Sequence, residues 1–265
     1  MSTPPATPPA TAFSALILAG SRGGADPVAD YAGVAHKVLI ELDGRTLLAR
    51  VAEAVRAAGA TQIAVSASDD TVRDHARALG LLVLDAAAGP SLSVARGIEA
   101  LGTPLLVTTA DHALLRAEWV ARFRADVPPG ADVAVLLARR DVVEAAAPGT
   151  RRTYLTFADG GWSGCNLFQF ATPRAIAAVE LWRRVEADRK RPWRIVRRLG
   201  IGLLIRYALG RLTLGEAIAH LGRKAGLDAA AIPCPYGLAA VDVDKPADLD
   251  LVRAIVADTR YRSRN

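Results

Sequence analysis

A hydrophobic stretch near the start of this chain ends at a glycine and continues into a polar, glycine-rich loop. Leu18 ends the stretch, Gly20 follows it, and Arg22 lies in the loop. Glycines let the main chain approach phosphate oxygens closely, and an arginine adds a planar charged donor. Lys37 follows as a mobile point charge, suited to a phosphate that gains charge during a reaction. These residues predict an anion site, and their spacing differs from both the P-loop and the Gly-x-Gly-x-x-Gly loop.

Carboxylates far along the chain could hold a divalent cation that bridges phosphates. Asp111 comes directly after a hydrophobic stretch, and Asp242 and Asp244 flank a single valine. The paired aspartates point the same way if the chain is extended, and they repel each other unless a cation or base lies between them. Helix capping is the alternative, for Asp111 before a helix a few residues on and for the pair before a helix that opens at Pro246, where Asp248 is favourable near the helix N-terminus.

Two serines stand at the expected start of a helix, in Gly89-Pro-Ser91-Leu-Ser93. Hydroxyl and free N–H groups at a helix N-terminus can hold a base edge or a phosphate. Simple capping by Ser91 explains the residues equally well. The four histidines show no metal-ligand spacing, and neither cysteine has a base partner, so we assign no nucleophilic catalysis.

Strand-like and helix-like stretches alternate through the first half of the chain and would position these residues. The expected strands are Ala15–Ala19, Gln62–Ser66, Leu81–Leu84, Pro104–Thr108 and Asp132–Ala138, and the expected helices are Thr46–Ala58, Asp70–Leu79 and Ser91–Ala100. Such alternation predicts βαβ units and a parallel, doubly wound sheet, in which ligands bind beyond the carboxyl ends of the strands. Gly20, Ser68, Gly89 and Asp111 are therefore expected on one edge.

The second half has a different character. Trp162–Phe170 is expected to be a loop that enters a strand, and Thr213–Gly222 a helix with Thr213 as its cap. We expect one domain over residues 13–265 with a helical insertion at about 174–227. A disordered tail rich in Pro, Thr and Ala, residues 1–12, precedes it.

The composition is that of a globular protein built from aliphatic residues. The 265 residues are 51% hydrophobic and 23% charged, and the net charge of +6 permits nucleic acid, anionic lipid or phosphorylated molecules as partners. Two cysteines argue against a disulfide scaffold. The sequence shows neither a signal peptide nor a run of about 18 uncharged apolar residues. We therefore expect a cytoplasmic protein, with peripheral contact with the inner membrane left open.

Arginines are concentrated between residues 183 and 211. The basic residues there are Arg183, Arg184, Arg189, Lys190, Arg191, Arg194, Arg197, Arg198, Arg206 and Arg211. They could touch anionic lipid or hold a phosphorylated, lipid-related acceptor, and the alternative is a solvated helical face. Trp182 and Trp193 are expected to be packing anchors. Because aromatic interleaving and a known reader motif are missing, no nucleic-acid partner is expected.

Six motifs occur in the order of a known enzyme family. They are Leu18-Ala-Gly20-Ser-Arg22, His36-Lys37-Val-Leu39, Asp43-Gly44-Arg-Thr-Leu-Leu48, Gly89-Pro-Ser-Leu-Ser93, Ala110-Asp111 and Val241-Asp-Val-Asp244-Lys-Pro-Ala-Asp-Leu249. Together they resemble nucleotidyltransferases with a molybdenum-cofactor guanylyl/cytidylyltransferase-like NTP transferase domain, relatives of the sugar-phosphate nucleotidyltransferases. The resemblance covers about Ala12–Arg140 well and Gly164–Ile255 more loosely. It implies an α/β, Rossmann-like (GT-A-like), mostly parallel sheet flanked by helices, with the helical Arg-rich insertion added.

The resemblance also implies roles for single residues. The residues implied to bind the nucleotide are Leu18, Ala19, Gly20, Ser21, Arg22, Gly23 and Lys37, with Ser91 and Ser93 near the base. Arg22 and Lys37 are the implied catalytic residues. Asp111 and Asp244 would hold Mg²⁺, Asp242 competes for the second place, and Asn166 would contact the acceptor. The family loop is usually shorter than the one between Arg22 and Lys37, and the family's Asp-x-Pro is Asp111-His-Ala here.

The implied reaction transfers NMP from an NTP to a phosphorylated small molecule and releases pyrophosphate. CTP is preferred over GTP because Gly89–Ser93 resembles cytidylyltransferase relatives. An acceptor phosphate is already a nucleophile at neutral pH, so alignment and charge neutralisation suffice. Two alternatives stay open: a GT-A-type glycosyltransferase with Asp242-Val-Asp244 as its metal motif, and a non-catalytic, membrane-associated nucleotide-binding module.

Overall fold

The structure is a computed structural model that describes residues 12–20, 26–188 and 200–258. The strands are β1 (Phe13–Leu18), β2 (Glu41–Leu42), β3 (Arg45–Thr46), β4 (Ala60–Ala67), β5 (Leu82–Asp85), β6 (Leu105–Thr109), β7 (Val133–Arg139), β8 (Leu155–Phe157), β9 (Gly160–Phe170) and β10 (Ala229–Cys234). The helices are α1 (Pro27–Ala32), α2 (Leu47–Ala57), α3 (Asp70–Ala78), α4 (Pro90–Leu101), α5 (Ala117–Asp126), α6 (Arg140–Ala146), α7 (Ile176–Asp188), α8 (Ile201–Ala208), α9 (Leu214–Ala225) and α10 (Pro246–Ala257). Short 3₁₀ turns cover Lys37–Leu39, Pro173–Ala175 and Gly237–Ala240.

The main sheet is mostly parallel, as expected. Its strands lie in the order β5-β4-β1-β6-β9-β7-β10, and β8 pairs with β9 outside this path. β1 pairs in parallel with both β4 and β6, whereas β9 runs antiparallel between β6 and β7. The chain winds from β1 to β4 and β5 on one side, then returns to place β6 on the other side of β1. The carboxyl ends of β1 and β6 therefore form the switch point of the sheet, where open α/β sheets bind ligands.

Helices cover both faces of the sheet, and β1 shows why its sequence is continuously hydrophobic. Ile17 points into the larger core, which also holds α2, α5 and α10, and Leu16 points into the smaller core beneath α4 and α7. A parallel strand buried on both faces has no polar side to alternate with. Gly97 lets α4 approach β1 closely, because a Cβ there would lie 2.5 Å from Cδ2 of Leu16.

A helix, α1, lies where the sequence was expected to form a long loop. Asp26 caps it by accepting from the backbone N–H of Val28 (2.9 Å), Pro27 occupies its first turn, and Gly33 ends it in the left-handed conformation at φ 67°. Pro at the start and Gly just past the end are ordinary helix boundaries. The pattern of Asp26-Pro27 and Gly33 therefore carried a helix signal within the predicted loop.

Other segments also differ from expectation. Trp162–Phe170 belongs entirely to strand β9, so its first residues are not a loop. The helix expected soon after Asp111 begins at Ala117, with Arg116 as its N-cap. Asp111 therefore does not cap it. After β10 the chain forms the 3₁₀ turn Gly237–Ala240, then an irregular segment and then α10, which opens at Pro246 as expected.

The segment expected as an insertion contains α7, α8 and α9. Trp182 on α7 stacks on Phe168 of β9 with ring centroids 5.8 Å apart, so its interpretation as a packing anchor is confirmed. Thr213 and Glu216 form a reciprocal capping box at the start of α9, which confirms the expected cap. Trp193 lies outside the described residues, as do the basic residues between 189 and 198. No helix in the described part of the chain is long and apolar enough to cross a membrane.

Candidate functional site

The carboxyl ends of β1 and β6 place Gly20 and Asp111 at the same edge of the sheet. The backbone N–H of Ala110 donates to the carbonyl of Leu18 (2.9 Å), so Asp111 lies where the two strands part. Gly20 faces the loop after β5, because a Cβ at Gly20 would lie 3.5 Å from that of Ala86. Ser21, Arg22 and Gly23 lie outside the described residues.

Lys37 connects two carboxylates that are far apart in sequence. Its Nζ donates to Oδ2 of Asp111 (2.6 Å) and to the carbonyl of Val243 (3.2 Å), and lies 3.6 Å from Oδ1 of Asp244. The backbone N–H of Val243 donates to the carbonyl of Asp111 (3.1 Å), which holds the segment after the last 3₁₀ turn against the end of β6. The structure thus brings together three of the residues singled out from the sequence, Lys37, Asp111 and Asp244.

The ammonium group of Lys37 stays ionised near neutral pH. Burial lowers the pKa of Lys37, but the nearby Asp111 and Asp244 carboxylates outweigh it and raise the pKa above its usual value. Lys37 is therefore a cation whose side chain is 21% exposed. Its ammonium group lies at the edge of the sheet, where a point charge could pair with phosphate oxygens.

The cluster also has the donor set of a divalent-cation site. Oδ1 of Asp111 is buried and has no hydrogen-bond partner among the described residues, and the Asp244 side chain is 58% exposed. Mg²⁺ is commonly held by one or two carboxylates together with substrate phosphates. Asp111 and Asp244 fit that pattern. No group of three or more His, Cys, Asp or Glu within residues 12–20, 26–188 and 200–258 could hold a metal ion.

The structure separates the two aspartates of Asp242-Val-Asp244. The Asp242 side chain is only 12% exposed, one of its oxygens pairs with a guanidinium nitrogen of Arg152, and the other accepts from Nδ2 of Asn166 (2.6 Å). Both carboxylate oxygens of Asp242 are thus engaged within the protein. Asp244 is the member of the pair that reaches solvent and Lys37.

Capping of α10 falls to a third carboxylate, Asp248. Its Oδ2 accepts from the backbone N–H of Lys245 (2.9 Å) and of Asp244 (3.2 Å). The capping alternative for Asp242 and Asp244 is therefore wrong. Oδ1 of Asp248 lies 3.7 Å from the guanidinium of Arg152. Arg152 lies between α6 and β8, and no pattern in the sequence marks it.

Asn166 occupies an unusual backbone conformation in the middle of β9. Its φ of 50° places it in the left-handed region, and the pairing register of β9 with β7 shifts beside it, between Val135 and Leu137. Such bulges re-aim a side chain, and sparsely populated conformations cluster at functional sites. Asn tolerates this region better than most residues. The bulge directs Asn166 towards Asp242.

The two serines at the start of α4 are buried. The N-cap of α4 is Gly89, and Ser91 lies in the first turn of the helix. The hydroxyl of Ser93 accepts from the backbone N–H of Ala87 (3.0 Å) and shapes the loop between β5 and α4. A nucleotide at this helix would meet backbone N–H groups more readily than the hydroxyls.

His112 follows the site aspartate and lies wholly inside the protein. It is 1% exposed, and burial lowers its pKa to about 4, so the ring is neutral near neutral pH. Its ring lies 6.5 Å from that of Trp119. The sequence pattern predicts no role for His112, and its position is that of a core residue beside the site.

A family model for the MobA-like NTP transferase domain matches residues 15–200. The chain belongs to this family and is a nucleotidyltransferase. A solved structure described as a hypothetical transferase from Thermus thermophilus is 33% identical, covers 90% of this chain and 100% of its own, and superposes with a TM-score of 0.75. A search of curated proteins finds no match.

More distant solved structures share the fold. A nucleotidyl transferase from Methanothermobacter is 17% identical over 96% of this chain and 100% of its own, with a TM-score of 0.56. A CMP:2-keto-3-deoxy-manno-octonic acid synthetase complexed with CTP is 16% identical over 93% of this chain and 99% of its own, with a TM-score of 0.57. The Rossmann-like sheet flanked by helices is therefore the architecture of this enzyme class.

Proposed function

We propose that the enzyme transfers NMP from an NTP to the phosphate of a small-molecule acceptor, with release of pyrophosphate and with Mg²⁺ as its cofactor. The observation that carries the proposal is the cluster at the switch point. Lys37 joins Asp111 and Asp244 there, and no atom of the described residues partners Oδ1 of Asp111. We place the nucleotide at this edge because β1 and Gly20 end there, and Ser21, Arg22 and Gly23 follow Gly20 in the sequence.

The protein's part in the reaction is alignment and charge neutralisation. A divalent cation bound by Asp111 and Asp244 would supply positive charge to the phosphates. Lys37 stays protonated and offers its ammonium group to the oxygens that gain charge, while Arg22 grips the triphosphate. Asn166 orients the acceptor. No side chain needs to remove a proton, because an acceptor phosphate already attacks as an anion.

CTP is the preferred nucleotide. Gly89–Ser93 resembles the corresponding segment of cytidylyltransferases, and one enzyme that shares the fold was solved with CTP. Ser93 contributes through the loop that its hydroxyl shapes, and Ser91 through its position among the backbone N–H groups at the start of α4. Residues 13–265 form one domain in this proposal, with the insertion at about 174–227.

The glycosyltransferase alternative depends on Asp242 and Asp244 acting together on a metal. Asp242 is engaged by Arg152 and Asn166, so the motif offers one free carboxylate rather than two. The second carboxylate comes from Asp111, at the end of β6. This division favours the nucleotidyltransferase reaction.

A second part of the proposal is that residues 183–211 contact an anionic membrane. Helix α8 buries none of its residues, and Ile201, Ile205 and Leu209 stand four residues apart with exposed fractions of 76%, 53% and 61%. Such a spacing forms one apolar stripe. Residues 174–227 hold 13 of the 33 basic and 4 of the 27 acidic residues, which leaves the rest of the chain net negative. Apolar and basic residues together favour anionic lipid.

Pyrophosphate release tests the reaction. The wild-type protein is mixed with Mg²⁺, each of the four NTPs and a panel of phosphorylated acceptors. We expect turnover with CTP and one acceptor class, and a loss of at least about 100-fold in Asp111→Asn and Asp244→Asn. Asp250→Asn, an exposed aspartate on α10, serves as the matched control. Release absent from every pair of nucleotide and acceptor would refute the proposed reaction.

Co-sedimentation with vesicles tests the membrane contact. We expect binding to vesicles that contain anionic phospholipid and not to neutral ones, and loss of binding in Ile205→Asp. Leu82→Asp, at an equally exposed position on the edge strand β5, should bind as wild type does. Equal binding by the two variants, or none by the wild type, argues for a solvated helical face.

A further inference from the structure

We infer that Arg152 is a positioning residue that assigns different roles to Asp242 and Asp244, directing one to the acceptor side and the other to the cation. The inference rests on the proposed function and adds a residue that the sequence did not mark. Arg152 lies in the irregular segment between α6 and β8, yet its side chain is only 9% exposed. A buried guanidinium needs partners for its donors, and those partners show what it organises.

Arg152 binds two carboxylates and a carbonyl at once. Its Nη2 pairs with Oδ1 of Asp242, and its Nη1 donates to the main-chain carbonyl of the same residue (3.3 Å). The same nitrogen lies 3.7 Å from Oδ1 of Asp248. These contacts turn the guanidinium towards the protein rather than towards the space in front of the sheet. Arg152 therefore acts through other residues and does not contact the phosphates.

One consequence concerns the cation ligand. Asp248, paired with Arg152 on one oxygen, uses the other to accept from the backbone N–H of Asp244 and Lys245. Val243, the residue before Asp244, donates to the carbonyl of Asp111 and accepts from Nζ of Lys37. The main chain around Asp244 is therefore fixed from both sides, and its carboxylate is directed to Lys37. Supporting contacts of this kind orient metal ligands in other proteins.

A second consequence concerns the acceptor side. Asp242, neutralised by Arg152, accepts from Nδ2 of Asn166 and fixes the amide of that residue at its bulge. The ion pair with Arg152 also occupies the Asp242 carboxylate. Without that pair, a second carboxylate would be available two residues from the cation ligand Asp244. Arg152 thus keeps a competing carboxylate away from the cation and uses it to hold Asn166.

The geometry requires arginine rather than lysine. Only a planar fork with several N–H donors can reach Asp242, its carbonyl and Asp248 together, whereas an ammonium group is a single point of charge. Loss of the guanidinium frees Asp242 and removes one positive charge beside the cation site. The two changes together predict an unusual outcome, in which cations bind more tightly and turnover slows.

The test compares wild type, Arg152→Met, Arg152→Lys and the double variant Arg152→Met/Asp242→Asn. Steady-state pyrophosphate release gives kcat and the KM for the acceptor, and electron paramagnetic resonance gives the affinity for Mn²⁺ alone. Arg174→Met, which removes a partner of the buried Asp132 at the opposite edge of the sheet, is the matched control.

We expect Arg152→Met to lower kcat by about 10- to 100-fold, to raise the acceptor KM and to bind Mn²⁺ more tightly than wild type. Asp242→Asn in that background should recover at least part of kcat and return Mn²⁺ binding to the wild-type level, because it removes the released charge. Arg152→Lys should fold and lose turnover. If Arg152→Met does not fold, the double variant and Arg152→Lys still give both readouts.

Two results would overturn the inference. The first is unchanged kcat, KM and Mn²⁺ binding in Arg152→Met. The second is an impaired Arg152→Met that Asp242→Asn does not improve, which would make Arg152 a substrate-binding residue. Absence of turnover in the wild type would instead refute the proposed reaction, and the Mn²⁺ measurement on the protein alone would still decide the role of Arg152.

Discussion

Replacing Lys37 by methionine removes a positive charge that lies between the two proposed cation ligands, Asp111 and Asp244. Methionine keeps most of the side-chain volume and deletes the ammonium group. Asp111 then loses the donor 2.6 Å from Oδ2, while its Oδ1 already has no hydrogen-bond partner in the part of the chain that the structure describes. The carbonyl of Val243 loses a donor at 3.2 Å. The perturbation therefore isolates the charge of Lys37 from its packing.

Two magnitudes follow from these contacts. Leaving a largely buried polar group without its partner costs about 1–3 kcal/mol of unfolding free energy, and the lower half of that range applies because Lys37 and Asp244 both reach solvent. Removing one preorganised donor from developing negative charge costs about 100- to 1,000-fold in kcat. The loss of activity should thus be far larger than the loss of stability explains.

The assay pairs thermal unfolding with pyrophosphate release. Lys37→Met should lower Tm by a few degrees, and added Mg²⁺ should stabilise it more than it stabilises the wild type, since a cation replaces the lost ammonium between the carboxylates. Lys37→Arg tests charge without the native geometry, and Lys224→Met on α9 is the matched control. A kcat within tenfold of wild type in Lys37→Met, measured on folded protein, would refute the catalytic role of this lysine.

Three further outcomes are expected. Burial lowers the pKa of His112 to about 4 in the folded protein, whereas its pKa in the unfolded chain is near 6.5. As the pH falls below about 6.5, the unfolded chain therefore takes up a proton that the folded protein does not, and the folded state is destabilised. Urea unfolding should show a free energy of unfolding up to about 3 kcal/mol lower at pH 4.5 than at pH 7, and His112→Asn should reduce this difference. Asn166→Ala should raise the acceptor KM in the pyrophosphate assay more than it changes the KM for the nucleotide, and an equal effect on both would contradict its assignment. Gly237→Ala should lower the free energy of unfolding by about 1–3 kcal/mol, measured by urea titration, because its Cβ would lie 2.2 Å from the carbonyl oxygen of Val142.

Much of the first half of the fold follows from local pattern. The continuous apolar run of β1 reflects burial on both faces, and the Gly20 that ends it marks where the chain must leave the sheet. Local sequence also marks helix α1, because Asp26-Pro27 and Gly33 are its boundaries. Its six residues are too few to show an apolar periodicity. Short elements of this kind are easily taken for loops when caps are not weighed.

The sequence by itself determined the class of enzyme, the sheet, and the three residues that meet at its edge, Lys37, Asp111 and Asp244. Strand ends and motif order are local properties, so they can be recognised without coordinates. The division of labour between Asp242 and Asp244 was decided only by tertiary structure. Two aspartates separated by a single valine are equivalent in a sequence, and they become different when Arg152, ninety positions from Asp242, pairs with one of them.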